Sequence, residues 1–190
     1  MPHPIVVIES PDLLAERFAE ICEKAARRAI AARGRFALVI PGGSAAENLL
    51  PPLMHTRIDW ARTEVFFSDE RFVARSDPAS SASASRQLLF DLLAAPGPRV
   101  HAMVADETDP DAAARRYAEL LVATLGAGAV FDLSLLGVGE DGHVASLFPG
   151  RAASAELARL VLVERDSPKP PPTRLTLSLP LLAASRTVVV

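Results

Sequence analysis

The side chains best suited to chemistry in this sequence are an acid and a histidine, Asp141 and His143, in a glycine-rich turn. The apolar residues 131–136 predict a buried strand, and three of the next six residues, 137–142, are glycine. Glycine has no Cβ, so the backbone of such a turn can approach a ligand closely. Open α/β sheets bind their ligands at the carboxyl ends of strands, and this turn lies directly after the carboxyl end of the predicted strand. These features together predict a catalytic loop.

Two other interpretations of the same turn stay open at the level of spacing. Residues 137–142 also fit the pattern G-x-G-x-x-G of dinucleotide-binding proteins. In those proteins the pattern opens a long helix and precedes a ribose-binding acid by about 20 residues. Here Pro149-Gly150 interrupts the segment early. Position 162, where the acid is expected, is Leu, and Glu164 matches the expected spacing only loosely. The other interpretation is a structural turn in which His143 packs or caps locally.

Four segments, in order along the chain, resemble the 6-phosphogluconolactonase family. They are Pro41-Gly-Gly-Ser44, Ser68-Asp-Glu-Arg71, Leu136-Gly-Val-Gly139 with Asp141-Gly-His-Val-Ala-Ser-Leu-Phe-Pro-Gly150, and Thr173-Arg-Leu-Thr176. The related glucosamine-6-phosphate deaminases share Asp-Gly-His, but typically read Phe-Asn-Glu-Pro at positions 146–149 and Asp-Glu-Tyr at positions 69–71. Both differences favour the lactonase, although the chain has Ser80-Ser81 where that family often has Ser-Asn, and Ala74 where it has proline.

The resemblance implies hydrolysis of 6-phospho-D-glucono-1,5-lactone, the second step of the oxidative pentose phosphate pathway, with no metal and no cofactor. A lactone is an activated ester, so a positioned water and a base suffice. His143 is the expected general base, since imidazole is largely neutral near pH 7 and accepts a proton. Asp141 is expected to orient the ring or bind sugar hydroxyls, or alternatively to cap the turn. Ser146 lacks the Gly-x-Ser-x-Gly context of a nucleophile.

The expected anion-binding turn consists of Gly42, Gly43 and Ser44. Backbone N–H groups at the start of a helix attract anions, and the resemblance implies contact with the phosphate or sugar. An ordinary strand-to-helix turn with Ser44 as N-cap is compatible with that interpretation.

The resemblance also assigns Arg71, Asp69 and Arg174 to substrate binding. A guanidinium binds phosphate with two parallel hydrogen bonds, so Arg71 is expected at or near the substrate phosphate, and Arg174 is a second candidate. The alternatives are a salt bridge from Arg71 to Asp69 or Glu70, and a surface arginine at position 174. Asp69 and Glu70 are expected to hold the arginines in place.

Alternation of strands and helices predicts one α/β domain over residues 1–190, Rossmann-like, with a mostly parallel sheet and helices on both faces. Predicted strands cover 5–8, 36–40, 65–67, 100–104, the run into Gly137, alternating Leu175, Leu177 and Leu179, and 187–190. Predicted helices begin at Pro11 (ending at Gly34), Ala45 (cut short by Pro51-Pro52), Ser80 and Asp109. Relative to the family pattern, the domain is expected to lack a C-terminal part.

Composition limits the partners. Twenty Lys and Arg residues against 23 Asp and Glu give a net charge of −3, so no basic face for nucleic acid is expected. No apolar run approaches the roughly 18 residues of a membrane span, which predicts no membrane partner and a cytoplasmic protein.

The single cysteine, Cys22, is expected to pack as a small apolar group. The expected partner is a small sugar-phosphate lactone, bound by a monomer or weak homo-oligomer. A deaminase or a non-catalytic sugar-phosphate-binding protein remain the alternatives.

Overall fold

A computed structural model describes residues 5–190 of the chain. Its α-helices are α1 (Pro11–Arg33), α2 (Gly43–Leu49), α3 (Ser81–Leu88), α4 (Pro110–Leu125), α5 (Ala152–Ala155) and α6 (Leu179–Ala183). Its strands are β1 (Phe36–Ile40), β2 (Thr63–Phe67), β3 (Asp69–Arg71), β4 (Arg99–Val100), β5 (Leu133–Leu135), β6 (Val161–Glu164), β7 (Arg174–Leu177) and β8 (Val188–Val189). None of the helices within these residues is long and apolar enough to cross a membrane.

Five parallel strands form the main sheet, in the order β4-β2-β1-β5-β8. At its centre Leu38 of β1 lies opposite Val65 of β2 and Leu133 of β5. All five residues of β1 are buried, as expected for a parallel strand covered on both faces, which reads as a continuous apolar run. The mostly parallel sheet flanked by helices confirms the predicted fold class. Because β1, β2 and β5 are adjacent and parallel, the segments that leave their carboxyl ends meet at one edge.

Two long helices pack on the strands through their apolar faces, α1 against β1 and α4 mainly against β6 and β7. In α1, Ser10 caps the first turn by accepting a hydrogen bond from the Leu13 N–H at 3.2 Å, and Gly34 ends the helix with φ 75°. Cys22 lies fully buried in the same helix, so burial raises the pKa of its thiol, and its predicted apolar packing is confirmed. In α4, the Tyr117 hydroxyl donates to the His101 carbonyl at 3.1 Å and ties the helix to the end of β4.

A second, antiparallel sheet in the order β3-β7-β6 was not among the predicted elements. In it Asp69 pairs with Thr176 and Arg71 with Arg174. A three-residue strand of charged residues has no apolar alternation, so its sequence is typical of a loop. The sheet places the Asp-Glu-Arg segment next to the Thr-Arg-Leu-Thr segment.

Three predicted strands differ from the structure. Residues 5–8 lie outside both sheets and are largely exposed, and the strand that pairs with β5 at this end of the sheet is β8. The strand predicted over 100–104 ends at Val100, since the Arg116 side chain bonds the carbonyls of Ala102 and Met103 and holds the chain away from the sheet. Leu179 begins α6 instead of extending β7, because Pro180 stands at a helix start.

Candidate active site

The predicted catalytic loop leaves β5 as a tight hydrogen-bonded turn. The Gly139 N–H donates to the His143 carbonyl at 2.8 Å, and the Gly142 N–H donates to the Gly139 carbonyl at 2.9 Å. Gly142 has φ 81°, a left-handed conformation in which glycine is the least strained residue. These bonds fold the loop so that the side chains of Asp141 and His143 face each other.

Asp141 and His143 form a hydrogen-bonded pair through Asp141 Oδ1 and His143 Nδ1. The same carboxylate oxygen accepts the His143 backbone N–H at 3.3 Å. The side-chain bond is the main reason why the pKa of Asp141 lies below its ordinary range. A carboxylate accepts hydrogen bonds, so the proton of the neutral ring resides on Nδ1 and Nε2 keeps its lone pair. Nε2 makes no hydrogen bond to protein atoms of residues 5–190 and is left for a ligand or water.

The imidazole is held on two further sides. Its ring lies 4.7 Å from the Phe148 ring, centroid to centroid, at 39°. On another side the ring touches Gly139, where an added Cβ would overlap Cε1 and Nδ1 of His143 and lie 2.9 Å from Asp141 Oδ1. The side chain of His143 is 14% exposed, which leaves little freedom apart from the Nε2 edge.

The predicted anion-binding turn follows β1 and touches the catalytic loop. Its N-cap is Gly42, with extended backbone, so the expectation that Ser44 would cap the helix was wrong. Ser44 lies exposed in the first turn of α2, and Gly43 has φ 64°. An added Cβ at Gly137 would lie 3.3 Å from the Ala45 Cβ, which puts the two segments in contact.

Arg71 lies beside this turn. Its Nη1 donates to the Ala79 carbonyl at 3.0 Å and lies 3.7 Å from the position a Cβ on Gly42 would take. Neither Asp69 nor Glu70 forms a salt bridge with its guanidinium among residues 5–190. Among residues 5–190 the half-buried guanidinium thus has no acidic partner, and it lies next to the backbone of Gly42.

Glu70 does not hold an arginine side chain in place, as was expected from the sequence, but binds backbone N–H groups. Its buried carboxylate accepts hydrogen bonds from the N–H groups of Ser81, at 2.7 Å, and Ala82, at 2.8 Å, and from the Ser80 hydroxyl at 3.1 Å. It also accepts the backbone N–H of Arg71 at 2.8 Å. Burial raises the pKa of Glu70, and these hydrogen bonds oppose the rise. Glu70 therefore holds the start of α3 and the Arg71 backbone, and it does not hold an arginine side chain.

Ser81 is a residue that the sequence reasoning did not assign to the site. It is buried, and its Oγ would collide with a Cβ at Gly42. The sequence feature that could have pointed to Ser81 is the pair Ser80-Ser81, which stands where the lactonase family often has Ser-Asn. Ser80 is the N-cap of α3.

Arg174 and Asp69 lie behind the loop and are buried. The Arg174 guanidinium donates to the carbonyls of Lys169 at 2.9 Å and Pro171 at 3.3 Å, so it ties down the proline-rich segment 168–172 instead of lying on the surface. Its Nη1 lies 4.0 Å from Asp69 Oδ2. Burial lowers the pKa of Arg174, and the neighbouring Asp69 opposes this. The expectation that Asp69 lies beside an arginine holds for Arg174, whereas Arg71 points elsewhere.

The loop that carries Asp141 and His143, and the glycine turn with Arg71 beside it, lie at the carboxyl ends of parallel strands, where open α/β enzymes bind their ligands. The family profile for glucosamine-6-phosphate isomerases/6-phosphogluconolactonase matches residues 9–190, and the chain belongs to this family.

Individual relatives agree with the profile. A Mycobacterium leprae 6-phosphogluconolactonase is 40% identical over 84% of this chain and 68% of its own length. One from Streptomyces coelicolor is 39% identical over 95% of this chain and 77% of its own. The crystal structure of a 6-phosphogluconolactonase from Shewanella baltica is 27% identical, covers 95% of this chain and 77% of that chain, and superposes with a TM-score of 0.85.

Proposed function

We propose that this protein hydrolyses 6-phospho-D-glucono-1,5-lactone to 6-phosphogluconate, the second step of the oxidative pentose phosphate pathway. The observation that carries the proposal is the imidazole of His143, held at Nδ1 by Asp141 and free at Nε2. The relatives named above act as support, because each is named a 6-phosphogluconolactonase.

In this reaction His143 acts first as a general base. Nε2 takes a proton from water while the water oxygen attacks C1 of the lactone, giving a tetrahedral intermediate. The bond between C1 and the ring oxygen then breaks, and the imidazolium returns its proton to that oxygen. Asp141 stabilises the imidazolium and keeps the ring oriented. Water and lactone account for all atoms of the product, and this route uses only groups of the protein.

Arg71 and the turn of Gly42, Gly43 and Ser44 are proposed to hold the substrate phosphate. Arg71 spends one nitrogen on the Ala79 carbonyl, and its remaining N–H groups are available for phosphate oxygens. A planar guanidinium suits this task because it binds two oxygens at once. The turn lies between Arg71 and the catalytic loop, a position from which it can place C1 near Nε2.

Arg174 and Asp69 stay predictions as substrate-binding residues. Within the described part of the chain, the Nη1 of Arg174 donates to no backbone carbonyl but lies 4.0 Å from Asp69 Oδ2, and the positive charge of Arg174 adds to that of Arg71. The side chain of Asp69 is 11% exposed, which leaves it little surface for a sugar hydroxyl.

The decisive experiment follows freshly generated lactone in the presence of the purified protein and compares its loss with spontaneous hydrolysis. The expected result is acceleration that disappears in His143→Asn. A protein that binds 6-phosphogluconate in calorimetry but leaves the hydrolysis rate unchanged would be a non-catalytic binder. Release of ammonia from glucosamine 6-phosphate would instead identify a deaminase, which the names of the relatives do not favour.

We further propose that the enzyme works in the cytoplasm, as a monomer or weak homo-oligomer, on this small-molecule substrate and without nucleic acid. The substrate is a small, water-soluble anion, and the net charge of −3 offers no general attraction for nucleic acid. Sedimentation velocity at micromolar concentration measures the oligomeric state directly.

A further inference from the structure

A buried serine in the catalytic loop is bonded to a buried carboxylate on the other sheet. Ser146 lies three residues after His143 and has no exposed surface. Its hydroxyl donates to Asp69 Oδ2 at 2.7 Å, across 77 residues of sequence. A hydrogen bond to a charged acceptor is stronger than one between neutral groups. The bond therefore joins the catalytic loop firmly to β3.

The carboxylate of Asp69 is itself fixed by the residues around it. Its other oxygen, Oδ1, accepts the Ser68 hydroxyl at 3.1 Å. Beside it, the backbone N–H of Ser146 donates to the Thr176 hydroxyl at 3.3 Å, and Thr176 pairs with Asp69 across β3 and β7. The loop is thus held at two atoms of one residue, Ser146, by two neighbouring strands of the antiparallel sheet.

The backbone between His143 and this anchor is strained. Ala145 has φ 53°, in the left-handed region that residues with a Cβ rarely adopt. Such a conformation persists only where the surroundings impose it. Ser146 directly follows Ala145, so its hydrogen bonds to Asp69 and Thr176 can hold Ala145 in this strained conformation.

We infer that Asp69 and Ser146 are positioning residues, which set the orientation of His143 by fixing the loop that carries it. The inference rests on the proposed lactonase function. It gives Asp69 a task that agrees with its burial, because the carboxylate supports the loop from behind and has both oxygens occupied by serine hydroxyls.

The test is a double-mutant cycle of Ser146→Ala and Asp69→Ala in the full chain, with kcat and KM for the lactone. Misplacement of a catalytic group by about 1 Å costs on the order of 10²-fold in rate, so each single variant should lose about that much kcat with KM changed less than threefold. The double variant should lose no more than the worse single variant. Asp69→Asn, which keeps an acceptor oxygen for Ser146, should recover part of the rate.

The control variant is Ser134→Ala. Ser134 is equally buried in β5, before the loop begins, and it shares a hydroxyl–hydroxyl bond of 2.8 Å with Ser185 instead of bonding the loop. It should keep kcat even though it loses a comparable buried hydrogen bond. Multiplying losses in the double variant, or a rise in KM for Asp69→Ala alone, would overturn the inference in favour of direct substrate contact by Asp69. Equal losses in Ser134→Ala would overturn it in favour of a general stability effect.

Hydrogen exchange separates this inference from the proposed function. In Ser146→Ala, peptides covering 136–150 should exchange faster than in the wild type, while those covering β1 should not. This result is expected whether or not the wild type hydrolyses the lactone. An unchanged exchange rate in that loop, or an active wild type whose Ser146→Ala variant keeps full kcat, would refute the positioning role.

Discussion

Adding a single methyl group at Gly139 should displace the catalytic histidine without otherwise disturbing the fold. Gly139 does not occupy the left-handed region, so alanine can adopt its backbone conformation. The space is the obstacle, because the new Cβ would overlap Cε1 and Nδ1 of His143 and lie 2.9 Å from Asp141 Oδ1. Phe148 packs on the ring and limits the directions in which it can move.

The size of the effect follows from the displacement that the methyl group requires. Carbon atoms in contact sit about 3.5–4.0 Å apart, so the ring has to move by more than about 1 Å to accommodate the new atom. A shift of that size costs about 10²-fold in rate, equivalent to about 2.7 kcal/mol of lost transition-state stabilisation at 1.36 kcal/mol per tenfold change. Because Arg71 and the anion-binding turn are not touched, the loss should appear in kcat and leave KM nearly unchanged.

The measurement is steady-state hydrolysis of the lactone by Gly139→Ala, with Gly128→Ala as the matched control. Gly128 has no atom within 4 Å of an added Cβ and no left-handed backbone, so its variant should behave like the wild type. Melting temperatures of both variants show whether any loss reflects unfolding. Near-normal kcat in Gly139→Ala, at an unchanged melting temperature, would mean that the position of the imidazole does not govern the rate.

Three further predictions concern the charged and titrating groups. Replacing His143 by Asn should lower kcat by about 10² to 10⁴ with little change in KM, since only the base is removed; initial rates on fresh lactone measure this. The lowered pKa of Asp141 means that its carboxylate stays ionised as the pH falls and that its contribution to turnover is lost only in stronger acid. A profile of kcat against pH should therefore show an acid-side loss from this group in the wild type, and that loss should be absent in Asp141→Asn. Replacing Arg71 by Lys should raise KM at least as much as it lowers kcat, because a single ammonium cannot bind two phosphate oxygens as a guanidinium does; a KM unchanged within error would place the phosphate elsewhere.

Local patterns predicted those parts of the molecule that depend on neighbours in sequence. The 3.6-residue periodicity and the Gly34 cap predicted α1, and the apolar run 36–40 predicted β1. The pairing of Asp141 with His143 spans two residues, so the spacing in the turn was enough to suggest it. The β-branched run 5–8 shows the limit of such reasoning. Its composition suits a strand, but composition does not determine which segment pairs with the sheet, and the strand beside β5 is β8.

Contacts between distant segments had no such signal. The bond from Ser146 to Asp69 crosses 77 residues, and the packing of Gly42 against Ser81 joins the starts of α2 and α3. The strand β3 consists of Asp-Glu-Arg, whose charges suggest an exposed loop, yet Asp69 and Glu70 are both buried. Their burial is tolerated because they accept hydrogen bonds from serine hydroxyls and backbone N–H groups. Such burial depends on partners that only the folded chain brings together.

The two sheets divide the work of the site. The parallel sheet delivers the groups assigned to chemistry, since the His143 loop leaves β5 and the anion-binding turn leaves β1. The antiparallel sheet carries Arg71 at the end of β3 and also supplies the supports: Asp69 in β3 bonds the loop, and Arg174 in β7 ties down the proline-rich segment. Loops at strand ends are the most mobile backbone in such folds, so a catalytic loop needs support from outside its own sheet. Here that support comes from hydrogen bonds between buried charged and polar groups. Removing one partner of such a bond leaves the other buried and unsatisfied, which destabilises the local structure. The orientation of His143 is therefore expected to be more sensitive to changes in β3 and β7 than the stability of the parallel core is.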